Sequence, residues 1–403
     1  MRCSVSVLRR RGLSTPSPRP FLARSLSLSS SVEQLEEVQS YSTPGSVDLL
    51  ASVGNTPLLE LTTLSRLTGC RLLAKAEYAN PSGSIKDRVA KSLILDAEER
   101  GLLQPGGTII EATGGSTGVS LALLGASRGY KTLLTMPDVT AKEKVQMMKT
   151  MGAQVHVLPT TSMADKNHFF HVAQRLAKQT PNAYCPNQFD NPANMKAHYA
   201  GTAPEIWEQV GGEIDGFVSS AGTSGTIAGV STFLKEKNPD VKVWLVDPHE
   251  TAAMSVFINN DRSTSRIEDG FEIVQMATGS TIAEGVAALS RVTENLRASI
   301  VDQGVTATNQ EIVDMAYFLL RNDGVFVGPS SALNVLGAVK MARELGPGHT
   351  IVTILADGGV RYGSKLYNED WLKENSLLPQ EAASKKGSSS LDFVKEHTFP
   401  TTV

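Results

Sequence analysis

Cysteine is scarce in this chain: three in 403 residues, Cys3, Cys70 and Cys185, at none of the paired spacings that mark a motif. That excludes a disulfide framework and a cysteine-held zinc site, and points to a reducing compartment. An excess of one charge is missing as well. With 38 Lys+Arg against 41 Asp+Glu the formal net charge is -3, so no basic field recommends nucleic acid or an acidic membrane surface as a partner. No run reaches the about 18 apolar residues a membrane-spanning helix needs. His168 and His171 stand three apart, but no acidic or cysteine ligand cluster accompanies them. They read as ordinary helix residues, and no metal site is expected. Acid is absent from the first 32 residues, whereas residues 1 to 31 hold six arginines and nine serines. This bias, over a segment of 1–46 that includes a linker, is that of a mitochondrial or plastid transit peptide, with an address-free basic tail as the alternative.

What is present is a soluble globular composition, 41% hydrophobic and 20% charged, with length for one large or two medium domains. From about Val47 short apolar runs alternate with helical patterns and no fixed-period repeat occurs. TIIEAT (108–113) precedes a helix over 116–128, KTLLTMP (131–137) a helix over 141–152, and VHVLP (155–159) a helix near 167–179. A helix over 195–210, strands at 215–222, 241–248 and 350–357, and helices ending near 237 and over 309–321 and 330–345 complete the series. Strand, glycine-rich turn and helix in alternation predict an α/β fold, doubly wound and mostly parallel. Ligands then gather outside the carboxyl ends of the strands, where the turns lie. The segment 373–403 is polar and reads as a tail.

Five turns carry candidate chemistry. In NPSGSIKDR (80–88), Pro81 and Gly83 end the preceding strand, and Lys86 opens an amphipathic helix with Val89, Ala90, Leu93, Ile94 and Ala97 on one face. A cation is disfavoured at that end of a helix. Lys86 is therefore either a solvated surface lysine or an amine that must be neutral at some moment, as a Schiff-base nucleophile or a base would be. Gly222-Thr223-Ser224-Gly225-Thr226 joins a strand to a helix and offers free backbone amides, which suit a single phosphate or serve only as a turn. It lacks the terminal Gly-Lys-Ser/Thr of a nucleotide loop. Thr113-Gly114-Gly115-Ser116-Thr117-Gly118 adds hydroxyls to free amides and suits a carboxylate. Ser330, in Gly328-Pro329-Ser330-Ser331, is compatible with both helix capping and function. ADGGVRY (356–362) puts acid and base close together or is merely a turn.

In this order NPSGSIKDR, TGGSTG, NQFDNPANMKAHY, GTSGT, GPSSALN and LADGGVRY resemble the pyridoxal-phosphate enzymes of the cysteine synthase and cystathionine β-synthase family, over about Val47 to Trp371. The likeness is strongest to the fungal mitochondrial cysteine synthase-like branch. The resemblance implies a fold-type II catalytic domain, 47–372, with two open twisted α/β subdomains, the smaller and mobile one (roughly 86–194) inserted in the larger and the cofactor between them. It implies that Lys86 carries pyridoxal 5'-phosphate as an internal aldimine and shuttles the α-proton. Gly222, Thr223, Ser224, Gly225 and Thr226 would cradle the phosphate and Ser330 would meet the pyridine nitrogen. Thr113, Gly114, Thr117 and Gln188 would hold the substrate carboxylate. Two departures stand out. Gly114 replaces the usual serine and Ser116 the usual asparagine at the cofactor's 3' oxygen, and the family's glycine-rich stretch reads Gly285-Val286-Ala287-Ala288. Gly114 is expected to leave open space. The implied reaction joins O-acetyl-L-serine and sulfide into L-cysteine. A cysteine desulfhydrase, another β-substituted-alanine synthase or a non-catalytic partner-binding homologue are the alternatives. A homodimer and serine acetyltransferase are the implied partners. No haem-binding segment or C-terminal regulatory pair argues for cystathionine β-synthase itself.

Overall fold

The computed structural model describes residues 48–402 apart from 164, 261, 269, 276, 278 and 287–290. The arginine- and serine-rich segment lies outside the described residues, as do Ala287 and Ala288 of the altered glycine stretch. The strands are β1 (Leu58–Glu60), β2 (Arg71–Ala76), β3 (Thr108–Ala112), β4 (Lys131–Pro137), β5 (Gln154–Leu158), β6 (Ala183–Tyr184), β7 (Gly216–Ser219), β8 (Lys242–Pro248), β9 (Ser265–Glu268), β10 (Phe271–Val274), β11 (Gln303–Ala307) and β12 (Thr350–Leu355). They form two main sheets. The larger runs β1-β2-β12-β7-β8-β11 and the smaller β5-β4-β3-β6, with β9 and β10 as a separate antiparallel pair. All pairings in the two main sheets are parallel except β1 with β2.

The expected α/β fold is therefore present. Parallel strands are covered on both faces, which is why β7 and β8 read as almost unbroken apolar runs. The strands of the smaller sheet all lie between Thr108 and Tyr184. The Lys86–Glu99 helix packs Ala90, Ile94 and Ala97 against Ile109, Leu121 and Leu124. Each such leucine or isoleucine stabilises by about 1.5–3 kcal/mol.

Three expectations change in detail. The 195–210 helix is two α-helical pieces, Pro192–Ala197 and Ala203–Val210, joined by a π-helical turn, His198–Thr202. His168 is a helix cap, its Nδ1 accepting from Phe170 N–H at 3.3 Å, while His171 Nε2 meets the Met163 carbonyl at 2.7 Å. The segment 373–403 is no free tail: Leu391, Phe393 and Val394 are buried in the same cluster as Leu336 and Val339 of the Pro329–Leu345 helix. Arg343 donates to the carbonyls of Leu391 and Val394, and Lys395 N–H to Glu311. A few apolar residues in a polar stretch are enough to dock it, which average polarity conceals.

Candidate active site

The NPSGS turn is built to hold Lys86 still. Gly83 has φ 83°, a left-handed value open to glycine. The Asp87 carboxylate accepts from Ser82 N–H at 2.6 Å and from the Ser82 hydroxyl, so the helix caps its own approach loop. Ile85 N–H donates to the Ala356 carbonyl at 2.9 Å, and Ser84 bridges Asp357, fastening the turn to the end of β12. The Lys86 amine makes no hydrogen bond among the described residues, although its side chain keeps an opening to solvent. Burial pulls its pKa from 10.5 down to about 8, against an opposing pull from the Asp357 carboxylate. The solvated-lysine alternative fails, because a surface lysine is not desolvated in this way.

The Gly222–Thr226 loop leads into the Gly225–Lys237 helix, with Ser224 as N-cap at φ 63°. The amides of Ser224, Gly225 and Thr226 donate to no group among the described residues. A Cβ at Gly222 would lie 2.4 Å from the Gly285 carbonyl oxygen, and one at Gly225 1.9 Å from Asn194 Oδ1. Only glycine lets this backbone sit so close to its supports. Asn194 Nδ2 donates to the Thr223 hydroxyl and to the Gln188 carbonyl, both at 2.8 Å. The Thr226 hydroxyl lies 3.3 Å from His198 Nε2 in the π turn. Burial, with Lys86 and Arg88 nearby, drives the His198 pKa well down, so the imidazole is neutral. A rigid loop presenting free amides at a 13-residue helix start fits a phosphate group.

Ser330 is the second residue of its helix, after Pro329, and the N-cap is Gly328 rather than a serine. The capping alternative for Ser330 is thus removed. Its half-buried hydroxyl is in no hydrogen bond among the described residues, whereas its neighbour Ser331 donates to the Asp357 carbonyl at 3.1 Å. A free Lys86 amine, a free Ser330 hydroxyl and a free amide cradle are together what a pyridoxal-phosphate ring system requires.

The Thr113–Gly118 turn starts the Ser116–Ser127 helix. Thr117 donates to Gln188 Oε1 at 2.6 Å, joining two of the expected substrate-binding residues, and Thr113 Oγ1 accepts from Gly115 N–H at 3.2 Å. Ser116 Oγ accepts from Arg361 Nη1 at 3.1 Å, and the same guanidinium also donates to the Ser82 carbonyl. Arg361 thereby ties this turn to the lysine turn. The expected open space beside Gly114 is absent. Thr140 fills it, and a Cβ at residue 114 would lie 2.5 Å from Thr140 Oγ1.

Four contributors were not singled out in the sequence. Glu111, fully buried on β3, accepts from Asn187 N–H at 2.8 Å and so supports the turn that aims Gln188. Burial raises its pKa from 4.5 to about 8. Asn194 and His198 lie inside the NQFDNPANMKAHY stretch, where nothing sets them apart from their neighbours, and Thr140 sits in a turn with no motif around it. Arg361 lay in a stretch already noted for its charges. No group of three or more His, Cys, Asp or Glu that could hold a metal exists among the described residues.

Comparison with known proteins agrees with this geometry. Residues 49–357 match the family model described as pyridoxal-phosphate dependent enzyme. The chain belongs to the pyridoxal-phosphate-dependent enzymes. Within them it is 46% identical over 353 residues to a cysteine synthase of Dictyostelium discoideum, covering 86% of this chain and 89% of that one. It is 40% identical to cysteine synthase 2 of Schizosaccharomyces pombe, covering 93% and 94%. An O-acetylserine dependent cystathionine beta-synthase from Helicobacter pylori shares the fold at TM-score 0.68 and 30% identity, covering 79% of this chain and 97% of that structure. The family resemblance of the motifs and the fold-type II architecture are thereby established.

Proposed function

We propose that the protein is a cysteine synthase, converting O-acetyl-L-serine and sulfide into L-cysteine and acetate. The observation that carries this reading is Lys86: an amine at a helix start, without a hydrogen-bond partner among the described residues, whose pKa burial lowers to about 8. Relatives named cysteine synthase support the choice of reaction. When bound, pyridoxal phosphate supplies the electron sink that loosens the donor's α-proton and lets the β-acetate leave. The chain's residues do the rest. Lys86 holds the cofactor and, when freed, takes and returns the α-proton. Gly222, Thr223, Ser224, Gly225 and Thr226 anchor the phosphate. Ser330 would hold the pyridine nitrogen, and Ser116 the cofactor's 3' oxygen. Thr113, Gly114, Thr117 and Gln188 seat the donor carboxylate.

The test is product analysis. The full chain loaded with pyridoxal phosphate and given O-acetylserine with sulfide should yield cysteine by mass spectrometry. Pyruvate formed with or without sulfide, and no cysteine, would assign it to elimination instead. Mitochondrial residence and cleavage of a transit peptide are part of the same reading, supported by the acid-free, arginine- and serine-rich start. A fluorescent reporter carrying residues 1–46 should enter mitochondria, and a diffuse signal would count against the address. A homodimer, and serine acetyltransferase as its partner, follow from the motif resemblance; light scattering with and without the acetyltransferase checks both. No helix among the described residues is long and apolar enough to cross a membrane.

A further inference from the structure

Each hydroxyl that the Thr113–Thr117 turn itself carries is already in a protein hydrogen bond. Thr113 accepts from Gly115 N–H, Ser116 accepts from Arg361, and Thr117 donates to Gln188. Gly114, in the middle of the turn, brings no side chain. The atom nearest to where its Cβ would stand is Thr140 Oγ1, at 2.5 Å, followed by Thr140 Cγ2 at 2.9 Å. Thr140 comes from another element, the turn after β4, where its N–H is held by the Pro137 carbonyl at 3.1 Å. The neighbouring acid, Asp138, is occupied by the N–H and hydroxyl of Thr160 and leaves Thr140 alone. The half-buried Thr140 hydroxyl donates to nothing and accepts from nothing among the described residues.

We propose that Thr140 is a further substrate-binding residue, its hydroxyl donating to the α-carboxylate of the amino-acid donor seated on the Thr113–Thr117 turn. A side chain at residue 114 and the Thr140 side chain as it stands in the turn after β4 cannot both occupy that volume. The glycine and the threonine are therefore one arrangement, in which the hydroxyl absent from the turn is delivered from outside it. This rests on the reading that the turn receives the donor carboxylate.

The experiment compares full-length holoenzyme variants. Thr140→Val keeps the shape and removes the donor, so KM for O-acetylserine should rise roughly ten- to a hundredfold, the cost of one hydrogen bond to a charged group. The KM for sulfide should stay put. Thr140→Ser should recover most of the loss. L-alanine, which has the carboxylate but no leaving group, should bind correspondingly more weakly to Thr140→Val when titrated by the visible absorbance of the bound cofactor. Gly114→Ser should impair donor binding by overlap, and Gly114→Ser/Thr140→Ala should regain it. Thr117→Val and Gln188→Ala serve as controls on the turn. If they weaken donor binding while Thr140→Val does not, Thr140 is only a filler and the proposal fails. If none of the three changes donor binding, the carboxylate reading of the turn falls and the proposal with it.

Discussion

Lys86 and Glu111 are both pushed toward neutrality by burial, and both titrate near pH 8. For Lys86 the consequence is kinetic. Only a neutral amine would be able to hold the cofactor, and half of Lys86 is neutral at about pH 8, a point an ordinary lysine reaches only at 10.5. Cofactor uptake by stripped protein, followed by visible absorbance, should therefore climb with pH, with its midpoint near 8, and level off about a unit above that. Lys86→Ala should lose both the absorbance and turnover. For Glu111 the consequence is thermodynamic. Folded Glu111 keeps its proton up to about 8, whereas the unfolded chain gives it up near 4.5. Between those values the folded state binds the extra proton, so its contribution to stability falls as pH rises, by at most about 1.4 kcal/mol per unit. Glu111→Gln cannot titrate, and its urea midpoint should change less between pH 5 and 8 than that of the parent. An equal slope would show that Glu111 keeps an ordinary pKa.

The helix that begins at Lys86 is positioned by a charge cluster two residues along. Arg88 donates from Nε to Glu77 at 2.7 Å and from Nη2 to Glu205 at 2.7 Å, while Lys75 also meets Glu205 at 2.7 Å. Glu77 is fully buried. Removing the arginine would leave that carboxylate with only the Asn80 amide and the Thr56 hydroxyl. Arg88→Ala should cost about 3–5 kcal/mol in urea unfolding, because a buried charge loses its partner. It should also weaken cofactor retention, since the helix start loses its anchor. A loss under about 1 kcal/mol would mean that the cluster is hydrated rather than buried. The helix itself was legible from its apolar spacing. The cluster was not, since Glu77, Arg88 and Glu205 come from three elements and nothing local relates them.

Across the whole molecule the two sheets meet through loops that hydrogen-bond to one another. Arg361 joins Ser116 to Ser82, Asn194 joins Gln188 to Thr223, and Glu284 joins Lys144 at 2.6 Å to Lys365 at 2.5 Å. The C-terminal segment packs against the Asn309–Phe318 and Pro329–Leu345 helices and against β8. Phe393, 4% exposed, lies tilted against Phe318 with ring centroids 5.6 Å apart, and Trp244 meets Phe399 edge-on at 5.3 Å. Phe393→Ala should destabilise by about 3–5 kcal/mol, the usual cost of an emptied aromatic site. A free tail would show no change in the denaturation midpoint.

The alternation of strand and helix, the rigid turn before Lys86 and the glycine loops at the strand ends belong to the sequence alone. Each depends on local periodicity and on backbone conformations that particular residues permit, and both can be read in a window of a dozen positions. The lowered pKa of Lys86, the support of Gln188 by Glu111, the grip of Arg361 on Ser116 and the filling of Gly114's space by Thr140 were decided only in the tertiary structure. So was the docking of Phe393. Desolvation depends on everything packed around a group, and a contact such as Arg361 to Ser116 joins positions 245 residues apart. Neither leaves a trace in the order of neighbouring residues, which is why the loops were visible in advance and the way they complete one another was not.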